Sequence, residues 1–100
     1  MEDRVVVTGL GICAPNGVKL DDFTSSLKQG RSGISFQQKL KDLNFGCQVA
    51  GIPDIKDGYV NKYFTSLQLK GLNASGLVYG VIAGTDAWTD AGLAKSPEDE

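Results

Sequence analysis

The chain has 100 residues, 41% of them apolar, which is room for one modest domain and too much hydrophobic content for a disordered segment. A chain of this size buries a little over about 60% of its unfolded surface. Ten Lys and Arg against twelve Asp and Glu leave a net charge of −2, and the basic residues are scattered. This excludes both a nucleic-acid footprint and a polybasic membrane anchor. Histidine is absent, which removes His-based triads, Cys–His nucleophiles and His metal sites; the two cysteines cannot form a disulfide framework or a four-ligand zinc site. No apolar run approaches the roughly 18 residues of a membrane span, and the start lacks the pattern of a secretory signal, so the expectation is a cytoplasmic chain without membrane contact.

In chain order, Arg4–Thr8 (RVVVT) places three β-branched apolar residues in a row, the pattern of a strand buried on both faces. Gly9-Leu10-Gly11 ends it, and Pro15-Asn16-Gly17 marks a turn. Over Leu20–Gly30, Leu20, Phe23 and Leu27 give one apolar helical face. Asp21 and Asp22 suit the first turn of that helix, Lys28 the last, and Gly30 is a stop. Residues 31–44 are mixed, with Arg31-Ser32-Gly33 reading as turn, and Phe45–Ile52 reads as a second extended segment closed by Pro53. Residues 59–73 are ambiguous, with Tyr59, Tyr63 and Phe64 at helical spacing read as core.

Ser75–Ala91 is the most informative stretch. Gly76, Gly80 and Gly84 recur every four residues, followed by Ala87 and Ala91. Each glycine costs a helix interior about 1 kcal/mol relative to alanine, so three point to a close neighbour along a smooth groove. Leu77, Val81, Ile82 and Trp88 make most of the circumference apolar, which implies a buried helix ended by Gly92. On this expectation a side chain added at Gly80 or Gly84 overpacks the contact by about 1–3 kcal/mol. Ala94–Glu100 reads as a polar, acidic tail. Two strand-like segments and one other firm helix are too few partners for such a helix, so residues 1–100 read as the opening of a larger domain.

Gly9–Ala14 (GLGICA) matches the dinucleotide fingerprint G-x-G-x-x-G/A after a strand. That site needs a helix N-terminus at the second glycine, and Pro15-Asn16-Gly17 forbids one, leaving a plain tight turn and no cofactor. Cys13 and Cys47 lack a histidine to activate them and read as ordinary buried or half-buried thiols. Asp21/Asp22 and Glu98-Asp99-Glu100 read as helix-start charge and a solvated loop; Lys62 and Lys70 read in themselves as surface charge.

Taken together, Arg4–Gly17 (RVVVTGLGICAPNG), the following helix with Leu27–Ile34 (LKQGRSGI), and Tyr79–Leu93 (YGVIAGTDAWTDAGL) resemble the N-terminus and long third helix of β-ketoacyl-acyl carrier protein synthases. The resemblance covers nearly the whole chain. It implies an α/β fold, the N-terminal part of a thiolase-like five-layered α-β-α-β-α architecture, with the glycine-striped helix in the central layer. It implies decarboxylative Claisen condensation of an acyl thioester with malonyl-carrier protein, in fatty acid or polyketide-type biosynthesis. The cysteine nucleophile and two histidines of the family lie downstream of the matched segment, so the resemblance assigns no catalytic, cofactor or metal residue here. It implies an acyl carrier protein as partner and a homodimer, or a heterodimer with a related synthase subunit. The family carries a basic, methionine-containing docking stretch before its third helix. The matching Leu69–Gly76 (LKGLNASG) holds only Lys70, with Lys62 further off, so these two are the docking candidates. Two alternatives stand beside this reading: a non-catalytic, chain-length-factor-like subunit of the same fold, and an unrelated small α/β binding domain.

Overall fold

The computed structural model describes residues 2–56, 58–72 and 74–93. Its elements are α1 (Leu20–Gln29), β1 (Ile34–Phe36), α2 (Gln38–Asp42), β2 (Val49–Gly51), a 3-10 helix (Tyr59–Lys62), α3 (Ser66–Lys70) and α4 (Ser75–Asp90). They fall into two compact units, one over residues 13–56 and the other combining residues 2–12 with described residues from 58 to 93. The acidic tail expected over Ala94–Glu100 lies outside the described residues.

In the unit of residues 13–56, Ala14-Pro15-Asn16-Gly17 forms the expected tight turn. The Ala14 N–H donates to the Gly17 carbonyl at 3.0 Å and the Gly17 N–H to the Ala14 carbonyl at 3.1 Å. α1 covers the expected residues with Asp21 and Asp22 in its first turn and Lys28 in its last. It ends at Gly30, whose φ of 67° is open to glycine at little cost. Its buried residue is Ser26, while Leu27 is 61% exposed. The Ser26 hydroxyl donates to the Asn16 carbonyl at 2.5 Å. A turn carbonyl partly withdrawn from water takes a donor, and the Ser26 hydroxyl meeting it centres the inward face on serine rather than on the leucine that apolar periodicity favours.

The two strands of this unit are short. β1 and β2 pair antiparallel, with Ile34 opposite Gly51, Ser35 opposite Ala50 and Phe36 opposite Val49. The extended segment expected from Phe45 to Ile52 therefore shrinks to Val49–Gly51, because its first residues close a helix instead. Asn44 takes φ 61°, its N–H donates to the Lys41 carbonyl at 3.0 Å, and the Phe45 N–H donates to the Leu40 carbonyl at 3.0 Å. This paired arrangement is the Schellman ending of α2. Pro15 is hemmed in by backbone: a Cβ on Gly33 or Gly51 would stand 2.5 Å or 2.7 Å from its atoms.

The second unit departs further from the sequence reading. Arg4–Thr8 pairs with no other described segment, and Val5, Val6 and Val7 are 95%, 65% and 79% exposed. A strand exists through its neighbours' backbone groups, and no described segment offers them to Arg4–Thr8. Residues 59–72 resolve into the 3-10 helix and α3, the latter started by a capping box between Thr65 and Gln68. α4 forms as expected and ends at Gly92, φ 77°. Ile82 is fully buried, yet Trp88 and Leu77 are more than half exposed, so α4 is not a buried helix among the described residues.

Nor is the glycine face closely approached: a Cβ at Gly76, Gly80 or Gly84 would meet nothing within 4 Å. The close approach is on the neighbouring stripe Ala83, Ala87 and Ala91. A Cβ at Gly9 would collide with the Ala87 carbonyl oxygen and stand 2.7 Å from the Ala91 Cβ. One at Gly11 would collide with the Ala83 carbonyl oxygen and stand 2.6 Å from the Ala87 nitrogen. Ala87 and Ala91 thus belong to a separate small-residue stripe with Ala83, and Asp90 shares its face. The Asp90 carboxylate accepts the Leu10 N–H at 3.0 Å, a polar anchor absent from the glycine stripe, which runs on into Trp88.

These contacts give opposite signs to alanine substitutions in this chain. Gly11→Ala should destabilise by about 1–3 kcal/mol through overpacking. Gly80→Ala and Gly84→Ala should each stabilise α4 by up to about 1 kcal/mol. Urea unfolding followed by far-ultraviolet circular dichroism measures both; destabilisation by Gly80→Ala would restore the buried-groove expectation.

Candidate functional site

After Gly11 the first helix in the chain is α1 at Leu20, beyond the Ala14–Gly17 turn, so no helix starts directly at the second glycine of the G-x-G loop. Gly9 and Gly11 are small because the chain crosses the flank of α4 there. Cys13 is half-buried before the turn, and Cys47 is exposed, its Sγ 3.7 Å from the Val49 carbonyl. Exposure of Cys47 corrects the buried reading, since its segment joins α2 to β2 instead of lying within a strand. Among the described residues no three His, Cys, Asp or Glu side chains gather as a metal site. A shallow hollow beside Leu20, Asp21, Thr24, Ser25, Lys28 and Gln29 is the flank of α1 alone.

The polar cluster of the chain lies where the 3-10 helix meets α4. Tyr63 Oη donates to Asp86 Oδ1 at 2.6 Å, and Tyr59 Oη lies 3.1 Å from Tyr63 Oη. A carboxylate only accepts, so the Tyr63 proton is committed to Asp86 and Tyr59 donates to the Tyr63 oxygen. The two rings lie 5.6 Å apart at 51°. Burial pushes the Tyr63 hydroxyl well above the ordinary tyrosine range, and the hydrogen bonds to Asp86 and Tyr59 push it further. The tyrosines read from sequence as core are therefore half-buried members of a hydrogen-bonded relay. Asp86 was not legible as their partner, because 23 residues separate it from Tyr63. The available signal was an aspartate inside a mostly apolar helix together with two tyrosines four apart.

Lys62 stands at the end of the 3-10 helix with its Nζ 5.1 Å from the centre of the Tyr59 ring, a cation–π distance. Lys70 occupies the last turn of α3, and both lysines are exposed. Lys62 is thus joined to the tyrosine relay, while Lys70 sits on a different short helix.

Residues 2–99 match the beta-ketoacyl synthase N-terminal domain. The chain belongs to this family. The ketoacyl synthase domain is 33% identical over 96 residues to 3-oxoacyl-[acyl-carrier-protein] synthase 1 of Escherichia coli strain K12, covering 95% of this chain and 22% of that protein. Against 3-oxoacyl-[acyl-carrier-protein] synthase 2 of Vibrio harveyi it is 32% identical over 90 residues, covering 90% of this chain and 21% of that one. The corresponding synthase 2 of Vibrio cholerae is 30% identical over 95 residues, covering 95% and 22%. The chain spans about a fifth of the length of these relatives. Its mixed helix and strand content fits the thiolase-like class that this family implies. Among the described residues no helix is long and apolar enough to cross a membrane.

In the ketoacyl synthase domain the relay should be measurable by alkaline titration. The fold raises the Tyr63 value, so its stabilising effect is complete below tyrosine's ordinary value near 10 and is lost as pH rises from there towards the raised value. Tyr63→Phe should cost about 1 kcal/mol near neutral pH and abolish that alkaline loss. Urea unfolding of both proteins across the alkaline range tests this; parallel pH profiles would show that the relay does not form.

Proposed function

We propose that the chain is the N-terminal part of a cytoplasmic 3-oxoacyl-carrier protein synthase, built on the five-layered architecture and working as a dimer. The observation that carries this reading is the family match across residues 2–99, reinforced by relatives that are all named as 3-oxoacyl-carrier protein synthases. The reaction is a decarboxylative condensation. A cysteine thiolate attacks the acyl-carrier thioester and takes the acyl group as its own thioester, releasing the carrier thiol; malonyl-carrier protein then loses carbon dioxide, and the resulting carbanion attacks the cysteine thioester. A carbon–carbon bond forms and the cysteine thiolate leaves.

This chain contributes scaffold to that chemistry. It contains no histidine, and neither Cys13 nor Cys47 sits at the first turn of a helix. The Gly9-Leu10-Gly11 loop against α4 supplies a framework element, and Lys62 and Lys70 offer positive charge to the carrier protein. Their exposure and the family's use of basic residues before its third helix support this role. A second reading, a non-catalytic partner subunit of the same fold, is favoured by one observation: Gln68, Leu69, Gly71 and Leu72 leave Lys70 as the single positive charge from Tyr63 to Asp90. The residue at the downstream nucleophile position separates the two.

The test is direct. The longer protein should form a 3-oxoacyl product and release carbon dioxide when given acyl- and malonyl-carrier protein. The 100-residue chain should do neither and should take up no acyl group on Cys13 or Cys47, as mass spectrometry would show. A labelled thioester on either cysteine, or turnover by the short chain, would overturn the scaffold role.

A further inference from the structure

Surface lysines contribute little to docking when they swing freely, because ordering a four-carbon stem offsets most of the Coulomb gain of an exposed ion pair. Lys62 is differently placed. Its ammonium lies 5.1 Å from the centre of the Tyr59 ring, and that ring is held by the Tyr59–Tyr63 hydroxyl contact of 3.1 Å. Tyr63 in turn is held by its 2.6 Å bond to Asp86, on the sixteen-residue helix α4. Three side chains in series therefore tie one exposed cation to the longest element of the chain. The two carboxylates of α4 are both occupied internally, Asp86 by Tyr63 and Asp90 by the Leu10 N–H.

We infer that Tyr59, Tyr63 and Asp86 are positioning residues that hold the Lys62 ammonium in place as one fixed cation of a docking site for an acidic protein face. The inference rests on the proposed docking role of Lys62 and adds what makes that lysine effective. Tyr59 supplies the π face over which the ammonium sits. Tyr63 fixes the Tyr59 hydroxyl, and Asp86 consumes the Tyr63 proton so that the Tyr63 oxygen is left to accept from Tyr59. Loss of any link removes that hold on the ring and loosens the lysine above it.

The experiment compares, in the longer synthase, condensation of an acyl group carried on carrier protein with the same acyl group on a small thiol. Lys62→Ala should raise KM for the carrier-borne substrate about twofold to fivefold, an effect that fades at high salt, with KM for the small thioester unmoved. Tyr63→Phe should raise the same KM in the same direction, and adding it to Lys62→Ala should produce no further rise, since both act through one cation. Asp86→Ala breaks the relay from its other end and is read if Tyr63→Phe fails to fold; Asp86→Glu, which keeps a carboxylate acceptor, should restore most of the loss. If Lys62→Ala leaves the carrier KM unchanged, the docking role itself is wrong. If Lys62→Ala acts but Tyr63→Phe and Asp86→Ala do not, docking stands and the positioning inference falls. A Tyr63→Phe effect that is equal for both substrates, independent of salt or additive with Lys62→Ala marks a purely structural residue and also overturns it.

Discussion

The crossing of Gly9-Leu10-Gly11 over the flank of α4 is the contact on which its unit depends. Backbone meets backbone there: neither glycine could carry a Cβ without striking a carbonyl oxygen of α4, and Ala83, Ala87 and Ala91 are the small residues that allow the approach. Small side chains alone would leave the loop free to slide along the helix. The Leu10 N–H bonded to the Asp90 carboxylate fixes the register, at an end of the helix where a carboxylate gains nothing from the helix dipole. Asp90 is thus best understood as an anchor for the loop.

The same economy governs the contact of α4 with the 3-10 helix. Tyr63 and Asp86 join the 3-10 helix to α4 through one short hydrogen bond, and Tyr59 extends it towards Lys62. In the unit of residues 13–56 a different polar contact plays the equivalent part, the Ser26 hydroxyl on the Asn16 carbonyl. In each case a directional bond settles a position that non-directional apolar burial leaves open. Ile82 being the fully buried large side chain of the described residues, apolar burial has little weight here, and these bonds decide more than they would in a fuller core.

For function, the division of labour follows from composition. A chain without histidine has no imidazole for acid–base work, and the proposed reading gives it the roles of scaffold and partner contact within the ketoacyl synthase family. The exposed valines of Arg4–Thr8 and the open glycine face of α4 are surfaces of the kind a larger domain would cover.

The sequence by itself determined the features with local causes. α1 from Leu20 to Gln29, its stop at Gly30, the Ala14–Gly17 turn and the span of α4 up to Gly92 all follow from periodicity, end charges and turn residues close in the chain. The family was legible for the same reason, since its signature is carried by contiguous stretches such as Arg4–Gly17 and Tyr79–Leu93. What only tertiary structure decided is everything that depends on which face meets which partner. Periodicity marks two small-residue stripes on α4 equally well, and the choice of alanine over glycine came from an acceptor, Asp90, lying 80 residues from its donor. Arg4–Thr8 has the composition of a buried strand yet pairs with nothing described, because pairing is a property of neighbours and not of propensity. Tyr59 and Tyr63 stand four apart, but no local pattern ties them to Asp86, and a hydrogen bond between residues 63 and 86 exists only once the fold has brought them to 2.6 Å.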